Sequence, residues 1–181
     1  MEIKFPGKRL PALGKDDGRV LHEIEQRAGV KIAVVETGAE ANLDVEPTQE
    51  GEGGGAWVAE QVLKAIGLGF EPKQAYLLFN DDYYIEVIDL ELFFNRDAKL
   101  IERYKARVIG EDGRAKKVLQ ELSGAWMSVW ENQIAILGQY DELRECRDAV
   151  KKLLEGATHA GVYAFLEKRK REKAMSDKGL L

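Results

Sequence analysis

Asp17-Gly18-Arg19 recurs as Asp112-Gly113-Arg114, ninety-five residues further along the chain. The same offset carries Gly29 onto Gly124, Val34 onto Val129 and Glu36 onto Glu131, and each copy sets its two glycines eleven residues apart. A chain of 181 residues that repeats itself at this distance is expected to fold as two similar units, each able to bury a modest core.

The pattern around the glycines gives each unit its elements. Residues 19–28 and 114–123 read as short amphipathic helices, with Val20, Ile24 and Arg27 at helical spacing in the first and Ala115, Val118, Leu119 and Leu122 in the second. Gly29 and Gly124 suit the left-handed residue that ends such a helix. Alternating strands follow at 30–35 and 125–130, then second strands at 42–46 and 133–137, then longer helices at 56–66 and 140–154. Strands also open the copies at 2–5 and 83–90. Residues 91–106 read as one extended helix or a helix pair, and 50–55 as a flexible glycine-rich loop. A frayed tail is expected after about Lys173. Strand, helix, glycine loop, helix, strand, strand, helix is the order in each copy, an α+β arrangement of a three-stranded sheet packed on helices.

Gly-x-x-Gly spacing by itself decides nothing, because 18 glycines in 181 residues yield about two such pairs by chance and the chain holds two, Gly51/Gly54 and Gly110/Gly113. Context separates them. The first pair lies in an acidic stretch and reads as linker. Gly110-Glu111-Asp112-Gly113 joins two helical segments and is followed by helix, strand, strand, helix. That arrangement resembles the type I KH domain, whose tight loop lets a nucleic-acid backbone approach the protein backbone. The expected organisation is two tandem type I KH domains with a C-terminal helix: a first domain at 1–70, a connecting helix at 71–80 starting at Pro72, a second domain at 81–157, and a basic helix and tail at 158–181.

The likeness extends along the chain. Residues 107–114 (RVIGEDGR), 134–138 (IAILG), 159–169 (HAGVYAFLEKR) and the interdomain run 81–90 (DDYYIEVIDL) together resemble the archaeal members of the two-KH ribosome-assembly family called Dim-two or partner-of-Nob-one. The low-complexity N-terminal extension of the eukaryotic members is not seen before Met1. The resemblance implies binding of single-stranded RNA, small-subunit ribosomal RNA near its 3′ end. It also implies partnership with the endonuclease that trims that end and with a translation initiation factor; separately, the lack of a membrane span, a secretory signal and an internal disulfide points to the cytoplasm, and the lack of catalytic motifs to a non-enzymatic role.

Candidate RNA contacts are Gly110, Glu111, Asp112 and Gly113 of the loop, with Arg107, Arg114, Lys116 and Lys117 beside it. Two carboxylates at the loop centre depart from the family pattern, which favours Lys or Arg there, so the neighbouring cations are expected to compensate. In the first copy the candidates are Gly14, Lys15, Asp16, Asp17, Gly18 and Arg19, but Gly14 and Gly18 stand one residue too far apart. That loop reads rather as a helix-capping turn, with Asp17 near the start of the next helix. A protein–protein scaffold with KH folds that have largely lost RNA binding is the competing reading.

Net charge is −5, yet unevenly spread: residues 36–60 carry seven carboxylates and no Lys or Arg, whereas 99–117 carry seven basic residues against three acidic. Such a chain can still orient on a polyanion. Trp126 and Trp130 share one strand face and are expected in the core. His159 is read as structural rather than base-stacking, Cys146 as a small core residue, and Lys168-Arg169-Lys170-Arg171 as an RNA clamp, a protein-binding tail or a solvated helix end. There is no phosphate-binding Gly-x4-Gly-Lys-Ser/Thr and no Gly-x-Gly-x-x-Gly after a strand. One cysteine and two distant histidines make no zinc constellation, and the Asp16-Asp17 and Asp81-Asp82 pairs read as turns, so no cofactor or metal is expected. No apolar run spans a membrane and the N-terminus lacks a secretory pattern.

Overall fold

The computed structural model describes residues 1–14, 18–36, 38–48 and 54–177. It divides into two compact units, Met1–Tyr83 and Tyr84–Leu181. Among the described residues no helix is long and apolar enough to cross a membrane.

The first unit opens with β1 (Glu2–Pro6), a 3-10 turn (Gly7–Arg9) and the single-turn α1 (Leu10–Leu13). After the loop come α2 (Arg19–Ala28), β2 (Val30–Glu36), β3 (Glu40–Pro47) and α3 (Gly55–Gly67). Its sheet has the antiparallel order β1-β3-β2, with Ile3 opposite Leu43 and Ile32 opposite Val45. Phe5, Leu13, Ile24, Leu43, Leu63 and Ile66 are fully buried, whereas Trp57 on α3 is exposed.

Residues 71–80 are not one connecting helix. They form α4 (Pro72–Ala75), held by a Glu71/Gln74 capping box, and a 3-10 turn (Tyr76–Phe79). In 3-10 geometry residues three apart eclipse, so Tyr76 and Phe79 come together with ring centroids 6.0 Å apart, and Arg27 lies 4.2 Å from the Phe79 ring. The expected helical position of Arg27 is therefore used, but for a cation–π contact.

The second unit repeats the order. β4 (Tyr83–Asp89) leads to a helix pair, α5 (Leu90–Phe93) and α6 (Ala98–Ile109), then α7 (Arg114–Ser123), β5 (Trp126–Trp130), β6 (Gln133–Gln139), α8 (Tyr140–Leu154) and α9 (His159–Asp177). The break in 91–106 has local causes. Asn95 and Arg96 take positive φ, and Asp97 caps α6 by accepting from the amides of Lys99 and Leu100. The sheet order is β4-β6-β5, which leaves β5 as an edge strand. Gly29 and Gly124 end α2 and α7 at φ 64° and 85°.

One apolar cluster joins Ile88, Val108, Leu119, Met127, Ile136, Cys146, Val150, Val162 and Leu166. The first half of α9 thus belongs to the core of this unit, and the helix continues past Lys173 to Asp177. Cys146 is buried as expected, and burial pushes its thiol up to about 12.

Candidate nucleic-acid interface

The loop between α6 and α7 takes its shape from two glycines with different duties. Gly110 has φ 75° and ψ 173°, and a Cβ there would sit 2.6 Å from the Ala115 Cβ and 2.7 Å from its backbone nitrogen. Only glycine fits both the dihedrals and the space. Gly113 is left-handed at φ 74°, and a Cβ on it would meet nothing within 4 Å. One glycine is held against α7; the other faces open space.

Between them the chain makes a single 3-10 turn, with the Gly113 amide donating to the Gly110 carbonyl at 3.2 Å. The amides of Glu111 and Asp112 have no hydrogen-bond partner among the described residues. Both side chains are exposed. Asp112 itself is left-handed at φ 52°, a conformation in which Asp and Asn are enriched. Its carboxylate is explained by the backbone it must adopt.

Arg114 and Lys117 are exposed and Lys116 is half-buried along α7. Lys117 lies 3.8 Å from Glu121, while Arg114 and Lys116 form no ion pair among the described residues. The remaining candidate, Arg107, is committed elsewhere. Its Nη1 donates to the Leu153 carbonyl at 3.1 Å and its Nη2 to the Ala157 carbonyl at 2.7 Å, tying α6 to the C-terminal end of α8. Arg9 does the same in the first unit, donating to the carbonyls of Ile66 and Phe70, both at 3.1 Å. Each arginine bridges carbonyls four residues apart at the end of the helix that follows the last strand of its unit. Arg107 is a clamp of the fold. His159 completes it, with Nε2 2.8 Å from the Arg107 carbonyl.

In the first unit Lys15, Asp16 and Asp17 lie outside the described residues, as does Gly51 of the other Gly-x-x-Gly pair. Gly18 is left-handed at φ 83°, like Gly113, and Arg19 begins α2. Gly14 has φ −84° and ψ 0°, an ordinary helical conformation open to any residue. The close packing that Gly110 makes is not reproduced there, since the nearest atom to a Cβ on Gly14 is 4.0 Å away.

Sequence reasoning also misplaced Trp126. Met127 and Val129 of β5 face the apolar cluster, so Trp126 has the opposite parity and is 43% exposed. With both parities of Trp-Met-Ser-Val-Trp largely apolar, the strand gives no local signal of which face is covered.

Residues 84–171 match the eukaryotic-type KH domain (KH-domain type I) in the form found as the second domain of PNO1. A KH domain-containing protein of Methanocaldococcus jannaschii is 38% identical over 172 residues, covering 94% of this chain and 74% of its own length. The pre-rRNA-processing protein PNO1 of Coccidioides immitis is 27% identical over 146 residues, which is 80% of this chain and 54% of that protein. Among solved structures, the Dim2p of Pyrococcus horikoshii in its complex with a/eIF2alpha and rRNA aligns with a TM-score of 0.83 at 33% identity, covering 95% of this chain and 94% of that one.

Proposed function

Because the chain belongs to the PNO1/Dim2 family of KH-domain proteins, we propose that it is an RNA-binding factor of small-subunit rRNA processing that holds a single strand across the Gly110–Gly113 loop. The observation that carries this reading is the division of labour in the loop. Gly110 is pressed onto Ala115, Gly113 leaves its outer side open, and two amides without partners lie between them. A phosphate can approach such a backbone closely, at the positive end of α7. Arg114, Lys116 and Lys117 supply the countercharge; Arg107 does not contact RNA in this reading.

The Pyrococcus relative is seen with rRNA and a/eIF2alpha, which supports ribosomal RNA as target and a translation initiation factor subunit as partner; the 3′ region of the small-subunit RNA rests on the family resemblance. The endonuclease partnership rests on the family resemblance. The first unit has the same strand order and helix placement as the second, which supports a tandem of two KH folds. Its Gly14 geometry favours a first loop that does not grip RNA.

Fluorescence anisotropy with an oligonucleotide from the 3′ end of small-subunit rRNA tests the proposal. Gly113→Asp adds a carboxylate into open space, so the fold is kept while a phosphate is repelled. Loss of binding in that variant is expected; binding equal to the parent rules out direct contact at the loop. Exposed Glu111 and Asp112 favour the scaffold reading, and that reading prevails when the parent itself fails to bind at low salt.

A further inference from the structure

The second half of α9 is not needed by the core of its unit. Val162 and Leu166 belong to the apolar cluster, and Lys170 and Lys173 stand where the same helical stripe would continue. No residue from Glu167 to Ser176 is buried, so about 16 Å of helix runs on past the core. Five cations stand on that stretch, Lys168, Arg169, Lys170, Arg171 and Lys173, against two carboxylates, Glu167 and Glu172.

Contacts within the unit use only part of this charge. Lys168 and Arg169 share the single Glu172 carboxylate, at 3.9 and 3.5 Å, and Arg169 also lies 5.6 Å from the Phe165 ring. Lys170 reaches the Glu121 carbonyl at 3.5 Å. Burial raises the pKa of the Glu145 carboxyl on α8, and the charges of Lys173 and Arg169 act against that rise. Arg171 makes no ion pair among the described residues. The helix dipole does not call for the run either, since cations stabilise the last turn of a helix and the last turn of α9 holds none. With Leu166 facing the core, about 3.6 residues per turn carries Lys168 and Arg171 to the opposite side, one turn apart.

We infer that this outer face of α9 is a second nucleic-acid surface, which lays Lys168 and Arg171 on the phosphates of double-helical RNA beside the bound single strand. This rests on the proposed RNA-binding function and extends it. The side-chain types decide the partner. A protein groove that takes up a helix reads apolar anchors three and four residues apart, and from Glu167 to Ser176 the only apolar residues are the adjacent Ala174 and Met175. A surface for single strands adds aromatic stacking to its charge, and no aromatic residue follows Phe165. Cations alone suit a duplex, which is recognised by its shape and its dense backbone charge. The contact of Lys170 with Glu121 sets this surface about 12 Å along α7 from Gly113, near enough for one RNA to meet loop and helix together.

The test compares two RNAs by anisotropy: the 3′-end oligonucleotide alone, and the same oligonucleotide preceded by a hairpin stem. The parent is expected to bind the stem-bearing RNA more tightly. Lys168→Gln with Arg171→Gln changes two exposed side chains, so the helix and the affinity for the bare oligonucleotide are kept while two phosphate contacts are lost. Each contact is worth about 0.9 in the slope of log affinity against log salt. Between about 50 and 200 mM salt the parent therefore loses about tenfold more affinity for the stem-bearing RNA than this variant does. Glu172→Gln frees Lys168 and Arg169 and raises affinity for the stem-bearing RNA severalfold. A stem that adds nothing in the parent, a double variant with the parent's salt slope, or no gain in Glu172→Gln overturns the inference and leaves this face to an acidic protein. Equal weakening of both RNAs in the double variant overturns it too, because the cations then act on the single strand. If Gly113→Asp abolishes binding of the bare oligonucleotide in any of these cases, the RNA-binding function stands without the duplex surface. If the parent binds neither RNA, both fall.

Discussion

Alanine at Gly110 and alanine at Gly113 separate packing from conformation in a loop where both residues are glycine. At Gly110 the new Cβ must displace the Ala115 Cβ at 2.6 Å and its nitrogen at 2.7 Å, and the second of these is backbone within a helix. Its φ 75°, ψ 173° also lies in a region essentially restricted to glycine, worth about 1–3 kcal/mol, and overpacking adds about 1–3 kcal/mol. At Gly113 the penalty is the left-handed conformation alone, about 1 kcal/mol. For a unit of this size each kcal/mol moves the midpoint by about 4–8 °C, so Gly113→Ala is expected to lower Tm by about that much and Gly110→Ala by more than about 10 °C. Differential scanning calorimetry on the whole chain is the assay, because it resolves separate transitions of two units where one optical signal merges them. Small and equal shifts in the two variants would refute the reasoning, since they would mean that the loop relaxes away from Ala115 at little cost.

Three further outcomes follow from the same structure. Arg107→Met removes two charge-assisted hydrogen bonds to helix-end carbonyls and should cost about 1.5–3 kcal/mol in a urea titration; unchanged stability with weakened RNA binding would return Arg107 to the interface. Glu111→Gln with Asp112→Asn removes two like charges while keeping a residue that tolerates the left-handed conformation. At about 7 Å from a phosphate in water each charge is worth about 0.6 kcal/mol, so affinity should rise severalfold at low salt, and the gain should shrink as salt screens it. An affinity that falls would assign those carboxylates a direct role in holding RNA. Burial holds the Cys146 thiol protonated up to about 12 in the folded chain, against about 8.5 when unfolded. The unfolded chain therefore releases its proton first, so this contribution is complete below about pH 8.5 and is lost as pH rises toward about 12. Urea midpoints between about pH 7.5 and 9.5 should fall more steeply in the parent than in Cys146→Ala, and parallel slopes would contradict the assignment.

The repeat, the strand–helix order and the helix-ending glycines were legible from the chain alone. They depend on periodicity and backbone conformation over a few residues, as at Gly29 and Gly124, and those signals are written locally. The wider likeness around Gly110–Gly113 carried the family in the same way. What a long polar or aromatic side chain does is decided by which distant groups packing brings beside it. Arg107 looked like a phosphate ligand because its acceptors, Leu153 and Ala157, lie 46 and 50 residues away. Its counterpart Arg9 escaped the ninety-five-residue register altogether, being 98 residues before Arg107. Trp126 looked like core because an apolar strand does not announce which face its neighbours cover. Gly14 stood one residue out of step with Gly110 in the sequence, but only the approach of Ala115 and the φ of 75° show that Gly110 has to be glycine. Local rules wrote the two similar halves; long-range packing decided which side chains each half spends on its own fold and which it leaves exposed.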